Sequence, residues 1–305
     1  MLFQQIVINA LIRASELGLL AIGLTVTYDI LKFANFAHVE FACIGAFLAY
    51  TMNVTLGMNI ILAGLVAILV VGVLSIFIDR LVFIRLRGAS SIALMVTSLG
   101  LGIALRNGVR AIWGARIKGY AIGLQNPVEL IGVRITPVQI FIILTSVISM
   151  VIIHLILKRT KLGKAMRATS ANPALAQACG IHTERIVRWV WFMGASLAAL
   201  GGIMIGLDTH LTPRMGFSVM IPVFAISILG GLGNPYGAMV GALILGLTEN
   251  IGLYTDLGKI LTLNGLIGNL TGLYIPTGYK LAISFIIMIV VLLWRPSGIM
   301  GKRER

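Results

Sequence analysis

Between Ile60 and Ile78 every residue is apolar, except for two glycines and one serine. Comparable runs recur at Ile6–Val26, Ile92–Leu105, Ile140–Leu157, Trp189–Leu207, Met220–Leu229, Ala238–Leu247 and Lys280–Trp294. The longest reach the length of about 17–25 residues that crosses roughly 30 Å of hydrocarbon. In lipid a backbone must satisfy its own hydrogen bonds, which leaves helices or a closed barrel. The apolar-out, polar-in alternation of a membrane barrel is absent, so the chain reads as an all-α polytopic membrane protein. Composition agrees: 58% of residues are hydrophobic and 11% charged, against about 25% charged in soluble domains.

The net charge of +14 falls mainly in connections between apolar runs. That distribution is topology-setting charge under the positive-inside rule and does not point to nucleic acid. The densest stretch is Lys158–Arg188, with Lys158, Arg159, Lys161, Lys164, Arg167, Arg185 and Arg188 against the single acid Glu184. It reads as a cytoplasmic loop. Pro173 is placed like a first-turn residue, which predicts a short helix over Ala171–Gly180 and hence a docking surface. Asp79, Arg80, Arg85 and Arg87 mark a second cytoplasmic connection, and the basic tail Arg295–Arg305 a cytoplasmic C-terminus. Arg106–Arg134, Asp208–Ser218 and Thr255–Gly278 are read as external. Counting back gives about eight spans with the N-terminus outside. The first segment lacks a basic leader and a small-residue cleavage site, so it reads as a span. Cys43 and Cys179 lie far apart and suggest neither a disulfide framework nor zinc.

Polar residues inside the apolar segments carry the functional reading. Arg13 and Glu16, three apart on a helix, are expected to pair near an interface. Asn35, His38 and Glu40 lie between two apolar segments without a loop-like spacer. Ionisable groups at membrane depth are costly and mark pathways, so a broken or re-entrant helix lining the pathway is expected there in preference to the alternative, a plain interfacial turn. His38 and Glu40, two apart, do not share a helical face, which argues against a metal site. The run Gly194–Gly206 offers small residues for close helix packing. Gly230, Gly231, Gly233 and Asn234 form a glycine turn, read either as a tight connection or as backbone lining the path. Ile30–Phe47 and Ile228–Leu243 echo each other: each has an Asn-containing turn and then a Gly/Ala-rich helix. No Walker A sequence, HExxH motif or nucleophile elbow occurs, so catalysis and cofactors are not expected, and any driving energy comes from a partner.

Asn35-Phe-Ala-His-Val-Glu40 resembles the NFAHGE motif of the LivH-type permeases of branched-chain amino acid ABC transporters. The resemblance extends to Gly23–Tyr28, Arg167-Ala168, Gly180–Arg185, Ile228–Met239 and the Arg295-Pro-Ser-Gly-Ile ending, in the family's order along nearly the whole chain. Val39 stands where the family usually has Gly. Of the general ABC permease loop signature, Ala176 and Gly180 fit, while the Glu position is Ala174. The resemblance implies a single permease domain over 1–305 with a coupling loop at 158–188 in the bacterial plasma membrane. Its partners would be a LivM-like second permease, two cytoplasmic ATP-binding subunits, an external substrate-binding protein and membrane lipid. It implies pathway residues Asn35, His38, Glu40, Gly230, Gly231, Gly233 and Asn234, and coupling residues Arg167, Ala174, Ala176, Gly180, Glu184 and Arg185. Two alternatives stay open: a urea or amide permease of the same family, and an ion-coupled carrier acting alone, with His38 or Glu40 carrying the proton.

Overall fold

The computed structural model describes residues 2–123, 125–130, 133–254, 280–295 and 298–301. Its axis is α1, Leu2–Leu31, which at 1.5 Å per residue reaches about 45 Å. Residues 14–27 are buried on every face, as expected of a helix that is apolar all round. It outruns the expected segment Ile6–Val26 at both ends, because lipid-length hydrophobicity ends before the backbone hydrogen bonding does.

Close packing around α1 depends on missing side chains. In α8, Thr183–Asp208, a Cβ on Gly201 would stand 2.1 Å from Leu20 Cδ1, and one on Gly194 would stand 2.4 Å from Thr27 Cγ2. On the other side of α8, a Gly202 Cβ would meet the Ala42 carbonyl oxygen at 2.1 Å. The small-residue run Gly194–Gly206 therefore lets α8 lie against both α1 and α2, His38–Tyr50. Gly202→Val should cost about 1–3 kcal/mol through forced separation of α2 and α8. A thermal melt in detergent checks this, and an unchanged midpoint would contradict it.

After Leu31 the helix breaks. Residues 32–37 are non-helical, and α2 begins with His38 against Leu20 and Gly23, about 12–16 Å back along α1 from its end. The chain thus re-enters the protein before α2 runs outward, which is the broken segment expected at Asn35–Glu40. A second break mirrors it: residues 209–214 leave α8 and lead into α9, Met215–Gly230. A Gly216 Cβ would lie 2.7 Å from the Val39 carbonyl oxygen. The first turns of α2 and α9 therefore meet inside the protein.

The peripheral helices are α3, Ile60–Ile78, prolonged by helical turns over Asp79–Phe83 and Ile84–Leu86; α4, Ser91–Trp113; and α5, Pro137–Arg159. Leu65, Leu69, Val73, Phe77, Ile92, Val96, Leu144 and Ile148 leave much of their surface uncovered, a load tolerable in hydrocarbon and not in water. Two expectations are corrected here. Arg106 and Arg110 belong to α4, so the connection expected to be external shrinks to residues 114–136, with a small antiparallel pairing of β1, Val128–Leu130, and β2, Val133–Ile135. The basic loop contains two helices, α6, Lys161–Ala171, and α7, Pro173–Ala178, and Thr183–Arg188 already belongs to α8. Next come α10, Pro235–Tyr254, and α11, Lys280–Trp294; Thr255–Gly278 lies outside the described residues.

Among the described residues five helices are long and apolar enough to span a membrane: Gln4–Leu31, Ile60–Leu86, Ser91–Trp113, Pro137–Arg159 and Thr183–Asp208. Shorter apolar helices, Met215–Gly230 and Ala282–Trp294, accompany these, so the expected eight spans are an approximate count. The connections sort to two ends. At one, Ser170 donates to Asp29 and Arg87 bridges Asp79 to Glu184. At the other, Lys118 pairs with Leu211 and Gln139 donates to Asp208. There Tyr120 donates to the Ala46 carbonyl at 3.1 Å, and burial pushes its phenol well above the ordinary tyrosine range.

Candidate functional site: a charged pair at the helix break

Asn35, His38 and Glu40 are each at most 2% exposed. Asn35 Oδ1 accepts from the Ala37 amide at 3.1 Å, shaping the turn into α2. His38 Nε2 lies 3.1 Å from the Leu20 carbonyl oxygen. A carbonyl only accepts, so Nε2 carries the proton and the imidazole pins α2 to α1.

Glu40 has a partner the sequence reading missed. Its Oε1 accepts from Arg106 Nε at 2.9 Å and Nη2 at 2.5 Å. The guanidinium also lies over the Phe217 ring, 4.4 Å from its centroid, in cation–π range. A signal for this was present. Ser98, Gly102 and Arg106 fall four apart, on one face of α4. Ser98 Oγ accepts from the Phe36 amide at 3.1 Å, and a Gly102 Cβ would sit 3.5 Å from Ala37 Cα and 3.8 Å from Glu40 Cγ. That polar stripe follows the chain from Phe36 to Glu40.

The glycine turn is not brought beside this pair. Gly231 and Gly233 have φ of 101° and 84°, conformations that favour glycine. Asn234 caps α10 through Tyr236 and Gly237 and donates to the Met300 carbonyl at 2.9 Å. Gly230 packs backbone to backbone on Gly237, and Gly233 packs against Asp29. Asp29 lies about 13 Å along α1 from Leu20, where His38 sits. The turn fastens α9, α10 and segment 298–301 together at the Asp29 end.

That end also carries the basic loop. Asn172 Oδ1 accepts from the Leu175 amide at 3.0 Å and Pro173 opens α7. Gly180 ends it with φ 81°, its amide donating to Gln177 and that of Ile181 to Ala176, the hydrogen-bond pattern of a Schellman motif. Ala176 is buried, Ala174 and Arg185 are exposed, and Arg167 donates to the Leu157 carbonyl. Glu184 pairs with Arg87, which holds buried Asp79 at 3.0 Å. Arg87 was read only as topology charge; its partners show it tying α8 to the end of α3.

Arg13 and Glu16 do pair, at 3.4 Å, but not as an isolated surface couple. Arg13 Nε also reaches Glu249 Oε2 at 3.4 Å, Ser284 donates to Glu249, and both acids are buried. Long-range packing of α1 against α10 draws the pair inside. Arg13→Leu strips a buried carboxylate of its cation, so thermal stability should fall by about 3 kcal/mol, the low end for broken buried pairs because Arg13 keeps some exposure. Among the described residues no three His, Cys, Asp or Glu side chains gather as metal ligands.

Residues 6–292 match the family model described as "Branched-chain amino acid transport system / permease component". The chain belongs to that family. It is 29% identical to the high-affinity branched-chain amino acid transport system permease protein LivH of Escherichia coli K12, over 99% of this chain and 96% of that one. It is 30% identical to BraD of Pseudomonas aeruginosa, over 99% and 97%, and 32% identical to a probable LivH of Methanocaldococcus jannaschii, over 96% and 91%. The solved structure "PsaBC from Streptococcus pneumoniae in complex with Fab" aligns with 93% of this chain and 90% of that one, at 14% identity and TM-score 0.46. That likeness is too loose to bear on the site. The permease is thus a multi-pass membrane subunit of an ABC importer and not itself an enzyme; ATPase activity lies in partner subunits.

Proposed function

We propose that this permease carries branched-chain or related small amino acids inward across a bacterial plasma membrane, as one domain over 1–305 with its C-terminus cytoplasmic. Its partners are a LivM-like second permease, two cytoplasmic ATP-binding subunits and an external substrate-binding protein. The observation that carries the coupling role is the capped α7, between Asn172 and Gly180, set in a basic segment tied to α1 through Ser170–Asp29 and to α3 through Glu184–Arg87–Asp79. A partner pressing on α7 acts on α1, which leads into the break, and on α3, which packs against α2 beyond it. ATP-dependent closure would then rock α1, α3 and α8 about the Asn35–Glu40 region, a coupling free energy between two distinct sites. The carrier alternative loses ground because the His38 Nε2 proton is held by a backbone carbonyl and Glu40 is charge-paired with an arginine.

Purification of the chain from native membranes should bring with it a P-loop ATPase and a second permease; recovery alone would contradict the proposal. Sidedness has a native reporter in Cys179, which is exposed beside α7, while Cys43 is buried. A membrane-impermeant maleimide should label Cys179 in urea-washed inverted vesicles and not in intact cells. The reverse pattern would place α7 outside.

A further inference from the structure

The import reading names amino acids as cargo and does not say how this chain would tell a zwitterion from an uncharged amide. Glu40 and Arg106 bear on that choice. A buried ion pair is costly to maintain, because both charges leave water. A path for a neutral amide needs only neutral donors and acceptors and has no use for it.

Three features of the pair go beyond holding α2 to α4. Arg106 gives two donors to the same oxygen, Glu40 Oε1, while Glu40 Oε2 has no hydrogen-bond partner among the described residues. That second oxygen, buried, faces the first turn of α9, where a Gly216 Cβ would come within 2.8 Å of it. Half of the carboxylate is therefore uncommitted. Arg106 keeps a quarter of its side chain uncovered, on a helix whose neighbours Leu99 and Ile103 are apolar and exposed. A guanidinium so placed has to face water or another protein surface, because hydrocarbon would not tolerate it. The Phe217 ring adjoins it at 4.4 Å and offers an apolar contact beside the charges.

We propose that Glu40 and Arg106 are a paired-charge station that selects zwitterions, resting on the import reading above. Arg106 takes the carboxylate of a passing amino acid, Glu40 takes its ammonium group, and Phe217 contacts its aliphatic side chain. The two residues re-pair behind it. No proton or bond is exchanged; one ion pair opens and two form. An equal number of fixed charges of each sign keeps the station neutral both when empty and when loaded. Arg106 is thereby a specificity-determining residue that none of the motifs in Asn35–Glu40 identifies.

The test uses the intact complex, purified through this chain and reconstituted, with radiolabelled leucine uptake and competition by isovaleramide, an uncharged analogue of similar size. In the neutral double variant Glu40→Gln/Arg106→Gln, a side-chain hydrogen bond can persist without charge. Leucine uptake should fall about 20-fold, the size of one charge-assisted hydrogen bond lost, with the complex still eluting intact. Isovaleramide should compete poorly with leucine in the parental complex. Uptake by the neutral pair within about twofold of parental, or equal competition by isovaleramide, overturns the station. Should the neutral pair not assemble, Arg106→Lys decides: it should keep measurable uptake with a raised KM, and loss of uptake at every leucine concentration in the assembled complex overturns the station. Failure of the import reading looks different, because then the parental complex itself accumulates no amino acid with ATP.

Discussion

Gly180→Val should cut ATP-driven uptake at least tenfold while the protein still inserts and folds. The reasoning is conformational. Gly180 has φ 81°, and nothing lies within 4 Å of the place its Cβ would take, so the effect is not a clash. A β-branched residue in that conformation is strained by about 1–3 kcal/mol. α7 has only six residues, too few to persist without its caps. Relief of strain would release the amides of Gly180 and Ile181 from Gln177 and Ala176 and unwind the end of α7. Coupling between sites is typically worth about 5–150-fold, so at least a tenfold loss of ATP-driven uptake is expected. Gly180→Asn is the control, because Asn tolerates this conformation, and it should transport near the parental rate. Equal uptake by the Val variant would remove α7 from the mechanism.

Arg87→Leu should have the second large effect, on stability and coupling together. Arg87 is the common partner of Asp79, which is 1% exposed, and of Glu184 at the start of α8. Its removal leaves Asp79 uncompensated in the protein interior, a loss of about 3 kcal/mol, since Arg87 like Arg13 keeps some exposure. The double variant Asp79→Asn/Arg87→Leu should recover part of that loss, since no charge is then stranded. Thermal melts of the detergent-solubilised protein check both statements. A melt of Arg87→Leu matching the parental one would mean that the Asp79–Arg87–Glu184 link carries no stability.

These residues show which parts of the protein can be read from its sequence. The bounds of α3, Ile60–Ile78, coincide with the apolar run, because nothing inside it competes with lipid burial. The turn into α2 was legible from Asn35, His38 and Glu40, whose cost at membrane depth demands a local reason. α7 was legible from Pro173 and Gly180, which act on their own backbone. Helix ends were harder: α4 runs on to Trp113 past Arg106, where the apolar run stops. Arg106 is tolerated there because Glu40, on another helix, meets it, and pairing across elements leaves little local trace. The same holds for Arg87 and for Arg13, whose charges looked like topology or interface markers until their partners on other helices were known. The Gly230–Asn234 turn marked a tight backbone correctly, but the depth at which it sits depends on the packing of Gly233 against Asp29.

On the proposed reading this permease moves its cargo only when driven from outside its own chain, through α7. The most direct measurement is leucine accumulation in proteoliposomes holding either the intact purified complex or this chain alone, each with and without ATP on the α7 side. The complex should accumulate leucine with ATP, and neither preparation should do so without it. Accumulation by the chain alone, driven by an ion gradient in the absence of ATP, would contradict that reading.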